Sequence, residues 1–366
     1  MGIVLGHFFR GVGEEPFELE SGHVLEPLSK EEKAKQDRDW KGYPHGLVRL
    51  TPGRWLFPAN FARFADRIYN FQIKSSDVFV MTYPKCGTTW TQEIVWTMRN
   101  NPNLDNPEAH KFIFVRSPFL EMDMLFHKPS LKTLPSWNDP LARAFIQFCP
   151  FKNPLNGFML QMSQAIPEPR TIKTHLPFSL LPPTLLDVSK VVYMARNPKD
   201  VIVSYHHHCR INTMHDYVGS FEDFVQYFVD DDLMYGPYWL HLKEAWERKD
   251  HPNLHLMFFE DMKSDPLREL RKLNAFLETN LTEAQMENIA KYTSFDEMKV
   301  RMKASGFNED ILPAFKKDVI AADGGFFRKG ESGDWKERLT PELDEKVDHW
   351  IKEYTTGLGV DFKFGA

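Results

Sequence analysis

The sequence predicts an α/β fold: a single domain with a central, mostly parallel sheet flanked by helices. Three observations carry that prediction. Strand-like runs recur at Val78–Met81, Thr171–His175, Lys190–Arg196 and Asn253–Glu260, short enough for buried strands of a parallel sheet. Segments with helical spacing of apolar residues alternate with them from residue 77 to about 280, without repeats or low-complexity tracts, the pattern of a doubly wound sheet. The first strand also passes into its helix through a compact polar loop, Tyr83-Pro84-Lys85-Cys86-Gly87-Thr88-Thr89-Trp90. Gly87 permits a close turn, Thr88 and Thr89 bring hydroxyls to the free N–H groups of a helix start, and Lys85 adds a point charge. Together they suit a tetrahedral anion such as phosphate or sulfate; the alternative is an ordinary connection with a capping Thr.

The chain has 366 residues, 42% of them hydrophobic and 26% charged, an ordinary globular composition with length enough to bury roughly three quarters of the unfolded surface. A net charge of −6 argues against a nonspecific nucleic-acid binder, so any anion site must be local. Cys86, Cys149 and Cys209 make an odd set without CxxC or metal spacing, which fits reduced thiols and a cytoplasmic setting. The opening MGIVLGHFFRGVGEEPFELE is too short in apolar residues for a membrane span, and acidic residues follow where a signal peptide would be cleaved. Gly6 stands where N-myristoylation at Gly2 would want Ser or Thr.

In chain order, residues 1–45 carry charged runs without a sustained period and are expected to form a surface extension, leaving 46–366 as the domain. Tyr43 to Asn70 suggests loops and a short helix with core aromatics. Residues 77–99 form the strand, turn and helix, which the turn-rich NNPNLDNPEAH ends. Residues 111–165 are dense in Phe and Met, as core or as the wall of an adaptable apolar cavity. His175 closes the next strand at its carboxyl end, where parallel sheets place ligands, either as a structural hydrogen-bonder or as a base. Lys190 to Asp200 is a third strand turning into a helix, so that Arg196 and Ser204 can face one anion. His206, His207 and His208 are adjacent on that helix, about 100° apart, and cannot converge on a metal ion. Phe221–Trp246 has helical spacing, and Asn253–Glu260 is a fourth strand. Thr293 or Ser294 ahead of Glu297 suggests a capping box. Met302–Ala322 is a polar segment suited to a lid, and GGFFRKGESGDW frames Arg328, Lys329 and Gly330 with flexible glycines, a second phosphate grip.

Over about residues 45–360 these motifs resemble, in the right order, the cytosolic sulfotransferases. YPKCGTTW is similar to their 5′-phosphosulfate-binding loop TYPKSGTTW, with Cys86 at the variable place. KTHLP resembles the signature in which His175 is the catalytic base, and SPFLE the segment whose aromatic, Phe119, contributes to the acceptor pocket. YMARNPKDVIVSY is close to the 3′-phosphate motif, implying Arg196 and Ser204 as ligands and putting His206 and His208 at the border of the acceptor pocket. FFEDMKSDP carries Phe259 where the family usually has Tyr, which keeps a ring contact to the base but no hydroxyl. KYTSFDEMK implies Thr293 and Phe295 at the adenine, with Trp90 on its other face, and Arg328, Lys329 and Gly330 complete the phosphate grip.

The resemblance implies transfer of a sulfuryl group from 3′-phosphoadenosine 5′-phosphosulfate, PAPS, leaving PAP, to a hydroxyl or amine of a small hydrophobic acceptor such as a phenol, steroid or alcohol. His175 would take the acceptor proton, Lys85 would neutralise the leaving phosphate oxygen, and the backbone N–H groups of Gly87–Trp90 would hold the 5′-phosphate. Lys173 would assist at the transferring group, and Ser204 would hold Lys85 aside until acceptor arrives; no metal is required. The retinol dehydratase branch implies a variant outcome, elimination through a transient sulfate ester. Two rivals stand beside this reading: a P-loop kinase, although Lys85 precedes the only glycine of the loop instead of following G-x-x-x-x-G, and a non-catalytic carrier of apolar ligands. KERLTPELDE resembles the family's short dimerisation motif, with Lys336, Thr340 and Glu345 fitting and Pro341 in place of Val. It implies a weak homodimer through 336–345, or else only a helix start capped by Thr340.

Overall fold

The computed structural model describes residues 16–126, 139–305 and 314–358. Gly2, Gly6 and most of the opening stretch, and residues 306–313 of the expected lid, lie outside them.

The first described residues enter an antiparallel sheet of β1 (Phe17–Glu18), β2 (Val24–Pro27), β3 (Leu47–Thr51) and β4 (Trp55–Pro58), in that order. The boundary expected at 45/46 runs through this sheet, because Leu25 pairs with Leu50 and Glu26 with Arg49. Tyr43–Asn70 therefore contains two strands where loops were expected. Their alternation was invisible because Leu47 to Leu50 and Trp55 to Pro58 are buried on both faces. Arg49 interrupts the apolar pattern, yet is neutralised inside: Nε donates to Glu32 at 3.0 Å and the guanidinium pairs with Asp232. Glu32 comes from α1 (Lys30–Asp39), which makes an ordered helix of the charged run, with Ser29 and Glu32 forming a capping box.

The second sheet is parallel, as expected: β5 (Val78–Thr82), β6 (Thr171–Thr174), β7 (Lys190–Ala195) and β8 (Leu254–Phe258), ordered β6-β5-β7-β8. From β5 the chain crosses to one side and then to the other, so a crevice opens at the carboxyl ends of the central strands. Into it project the loop between β5 and α2 (Thr88–Asn100), the residue after β6, the turn between β7 and α3 (Pro198–Ile211), and the start of α4 (Phe259–Ser264). At the opposite ends a fully buried ion pair ties β5 to β6: Arg170 Nε donates to Asp77 Oδ1 at 2.7 Å and an Nη to Oδ2 at 2.5 Å. The remaining Arg170 N–H groups reach the carbonyls of Ser163, Gln164 and Gln72, so the guanidinium is saturated.

Two expected caps turn out differently. Ser294 precedes α5 (Phe295–Ala304) without a side-chain bond to it, so the capping box toward Glu297 does not form. Thr340 does cap α6 (Pro341–Leu358), accepting from Leu343 N–H at 3.3 Å with Pro341 at the first helical position, where its missing N–H costs nothing. Lys199 of α3 binds Asp344 and Asp348 at 2.5 and 2.6 Å and so fastens α6 to the sheet domain. Among the described residues no helix is long and apolar enough to cross a membrane.

Candidate functional site

A cavity of about 410 Å³ occupies the crevice. One wall is the loop after β5. Lys85 and Gly87 have positive φ (69° and 95°), which folds the loop tightly, and a Cβ on Gly87 would meet the Phe259 ring at 2.8 Å. Gly87 has no side chain with which to cap α2, so the first N–H groups of this 13-residue helix are left for a ligand. Lys85, Gly87, Thr88, Thr89 and Trp90 all line the cavity. Cys86 does not: its side chain is buried, with Sγ 3.9 Å from the Pro84 carbonyl, and its N–H donates to the Tyr83 carbonyl at 3.3 Å.

Around this loop stand the cations. The Lys85 ammonium lies 4.6 Å over the Phe326 ring, and burial, with Arg196 and Lys173 nearby, lowers its pKa to about 7. Arg196 donates to the Lys85 carbonyl at 3.1 Å and the Glu331 carbonyl at 2.8 Å and lies 4.3 Å over Phe259, while its Nε is buried without a partner. That Nε is the kind of orphaned donor a bound anion would satisfy. Arg328 and Lys329 reach the same wall but already share Asp334, and Lys329 also meets Glu337. The phosphate grip expected of them is therefore partly neutralised by a carboxylate that the sequence reading missed. Trp90 meets Phe259 edge-on at 5.5 Å, and Phe295 lines the cavity with Gly330 against its ring. Thr293 falls outside: its hydroxyl donates to the Ile289 carbonyl at 2.8 Å, because it closes the preceding helix.

The opposite wall is organised by His175. Its Nδ1 lies 2.8 Å from the Thr82 carbonyl, which can only accept, so Nδ1 carries the proton and Nε2 is the free base facing the cavity. Burial, reinforced by Lys173, holds the imidazole pKa well below its ordinary value and keeps it neutral. Thr82 also joins Thr88 through a 2.6 Å hydroxyl contact, linking His175 to the anion loop. The SPFLE segment lies alongside β6, with Leu120 N–H donating to the Lys173 carbonyl at 2.9 Å. That contact sets the Phe119 ring 5.2 Å from His175 and 4.0 Å beneath the Lys173 ammonium, whose pKa burial lowers. Glu121, also unassigned from the sequence, is fully buried and accepts from His175 N–H at 2.6 Å and from the Thr174 hydroxyl at 2.9 Å.

Of the α3 residues, Ser204 and His208 line the cavity and His206 does not. His206 packs against Tyr217, Phe221 and Phe224 in a separate crevice. Helical spacing would have sorted them, since Asp200, Ser204, His207 and His208 share a face at i, i+4 and i+7 to i+8 while His206 is rotated off it. His207, whose ring bonds the Gly325 carbonyl at 3.0 Å, and His215 and Tyr235 also line the cavity. Tyr235 stands 5.4 Å from His175, and no local signal announced it.

The model of the sulfotransferase domain matches residues 75–359. Sulfotransferase 1A1 of Mus musculus is 37% identical over 307 residues, 83% of this chain and 92% of that one. Luciferin sulfotransferase of Photinus pyralis is 33% identical over 301 residues, 81% and 76% of the two chains. The crystal structure of retinol dehydratase in complex with androsterone and inactive cofactor PAP superposes with a TM-score of 0.78 at 28% identity, covering 95% of this chain and 99% of that one.

Proposed function

The chain belongs to the sulfotransferase family and is a PAPS-dependent enzyme, and from that premise we propose that it sulfonates a hydroxyl or amine of a small hydrophobic acceptor with His175 as the base. Family membership decides against the kinase and ligand-carrier alternatives. The single observation that supports the base is the 2.8 Å contact from His175 Nδ1 to the Thr82 carbonyl, which leaves Nε2 unprotonated toward the cavity. Bound PAPS supplies the sulfuryl group and a phosphate leaving group. His175 Nε2 takes the acceptor proton, Lys85 offsets charge on the leaving oxygen, Lys173 stands beside the transferring group, and the uncapped N–H groups of α2 hold the 5′-phosphate. Arg196, with its orphaned Nε, grips the 3′-phosphate together with Ser204, Arg328 and Lys329, the last two exchanging Asp334 for it. Thr89, Phe259, Phe295 and Trp90 border the nucleotide.

The apolar side of the cavity, walled by Phe119, Phe114, Met122, Met234 and Tyr235, supports a hydrophobic acceptor. A panel of phenols, steroids and retinol incubated with PAPS tests the reading: PAP and a sulfated product are expected, and release of PAP with none of the panel overturns it. Likeness to retinol dehydratase across 95% of the chain favours one second outcome, loss of sulfate from an allylic ester to leave a dehydrated acceptor, which mass analysis of the same mixtures separates. We also propose a cytoplasmic enzyme, supported by three free buried cysteines, and a weak homodimer through 336–345, supported by the exposure of Lys336, Thr340 and Glu345.

A further inference from the structure

His208 lines the cavity, and among the described residues its ring has no hydrogen-bond partner. It lies 5.3 Å from His215, 6.1 Å from Phe326 and 6.4 Å from Tyr205, all ring contacts. Nδ1 is shut in without a hydrogen-bond partner. Nε2 is on the cavity side, also without a protein partner. The neighbouring His215 differs, because its Nδ1 is bonded to the Tyr43 hydroxyl. A neutral imidazole has one N–H to place, and a buried bare lone pair is tolerated more readily than a buried orphan N–H. The proton therefore sits on Nε2, and His208 presents a hydrogen-bond donor to whatever fills this end of the cavity. The rings that touch His175 are Phe119 and Tyr235, and none of them touches His208. The two histidines thus have separate aromatic neighbours in one cavity, although Lys85 and Lys173 act on both, and Met214 and Met234 are among the apolar residues of the same lining.

We propose that His208 Nε2–H binds a second oxygen of the acceptor, distinct from the hydroxyl that receives sulfate, so that the preferred acceptors are bifunctional: a nucleophilic hydroxyl and, elsewhere on the molecule, a carbonyl, ether or hydroxyl oxygen. This rests on the sulfotransferase reading of the cavity and names the acceptor class within it. A hydrocarbon tail at this position leaves the N–H unpaired, and sites built around a polar group discriminate against ligands that cannot meet it. Burial and the nearby Lys85 keep the imidazole neutral, so it calls for an uncharged oxygen and gives no special advantage to a carboxylate.

The test is a ladder of 4-alkylphenols and matched 4-(ω-hydroxyalkyl)phenols of increasing length, assayed with PAPS. At one chain length the hydroxylated member should be preferred in kcat/KM by about threefold to tenfold, the scale of one neutral hydrogen bond, through KM more than kcat. His208→Phe should bring that ratio to about one. His208→Gln, which keeps an N–H donor, should retain part of it, and thermal melting of both variants checks that they fold. A ratio near one at every length in the unaltered enzyme overturns the proposal, as does a preference that survives His208→Phe. Sulfation of the plain alkylphenols in either case leaves the sulfotransferase reading intact, whereas failure to sulfate any phenol, alkylated or hydroxylated, counts against that reading instead.

Discussion

The wall formed by residues 83–90 and 328–330 and the wall around His175 and His208 enclose one cavity but are built in opposite ways. The first is made of backbone N–H groups, a helix start and four cations, Lys85, Arg196, Arg328 and Lys329, and most of it comes from short contiguous runs of sequence. The second is made mainly of neutral groups, imidazoles with lowered pKa values and aromatic rings, with the Lys173 ammonium set among them, and is assembled from β5, β6, α3 and the segments at 119–121 and 234–235. A wall that must hold a highly charged nucleotide can be made locally, because a turn and a helix terminus supply its donors. A wall that must remove a proton and seat an apolar molecule needs long-range packing to keep its groups neutral and aimed.

The largest effect should come from separating the two walls. His175→Ala is expected to lower kcat by about 10²- to 10⁴-fold, the range of a general base, while PAP affinity stays nearly unchanged. Parallel loss of PAP binding in calorimetry would show that the walls are not independent. Next, Arg196→Ala should weaken PAP by about 1.5 to 3 kcal/mol, a lost charge-assisted bond, and affect adenosine 5′-phosphosulfate little. Equal losses for both nucleotides would remove the 3′-phosphate from the first wall. Third, Lys85 is lowered from 10.5 to about 7, so above that pH it is largely neutral in the free protein and regains its proton when an anion binds. PAP binding at pH 8 should therefore take up protons, approaching one, and the uptake should vanish below about pH 6. Calorimetry in buffers of different ionisation enthalpy reads it, and Lys85→Met should abolish it. The smallest effect lies outside both walls: light scattering at micromolar concentration should give a dimer mass that Thr340→Glu lowers to the monomer. A monomer in both proteins leaves Thr340 with its capping role alone.

What could be read from the sequence follows the same division. The strand, loop and helix over 78–100 were legible because a change of hydrophobic period and Gly87 fall within a few residues. That the four strands run parallel was legible from their alternation with helices, while their order in the sheet was not read. Glu121 and Tyr235 were not, since their importance depends on which residues surround His175 in space, and proximity of that kind leaves no local pattern. Strands β3 and β4 were hidden for a related reason: Arg49 looks like a surface residue until Glu32 and Asp232 are brought to it from either side. His206 and His208 were both assigned to the pocket border from the motif, and His207 was not, whereas the turn of the helix brings His207 and His208 to the cavity and takes His206 off it.

The Asp77–Arg170 pair behind the sheet constrains how this sequence can drift. Both side chains are fully buried and Arg170 spends every donor it has. Removing either partner strands an uncompensated charge or its counterpart's lone pairs, a loss of about 3–5 kcal/mol. Domains have only about 5–15 kcal/mol of stability in all, so neither position can change alone by a tolerated single step. A paired apolar replacement would be far cheaper, since it leaves no charge behind, but it lies across a valley that one substitution at a time does not cross.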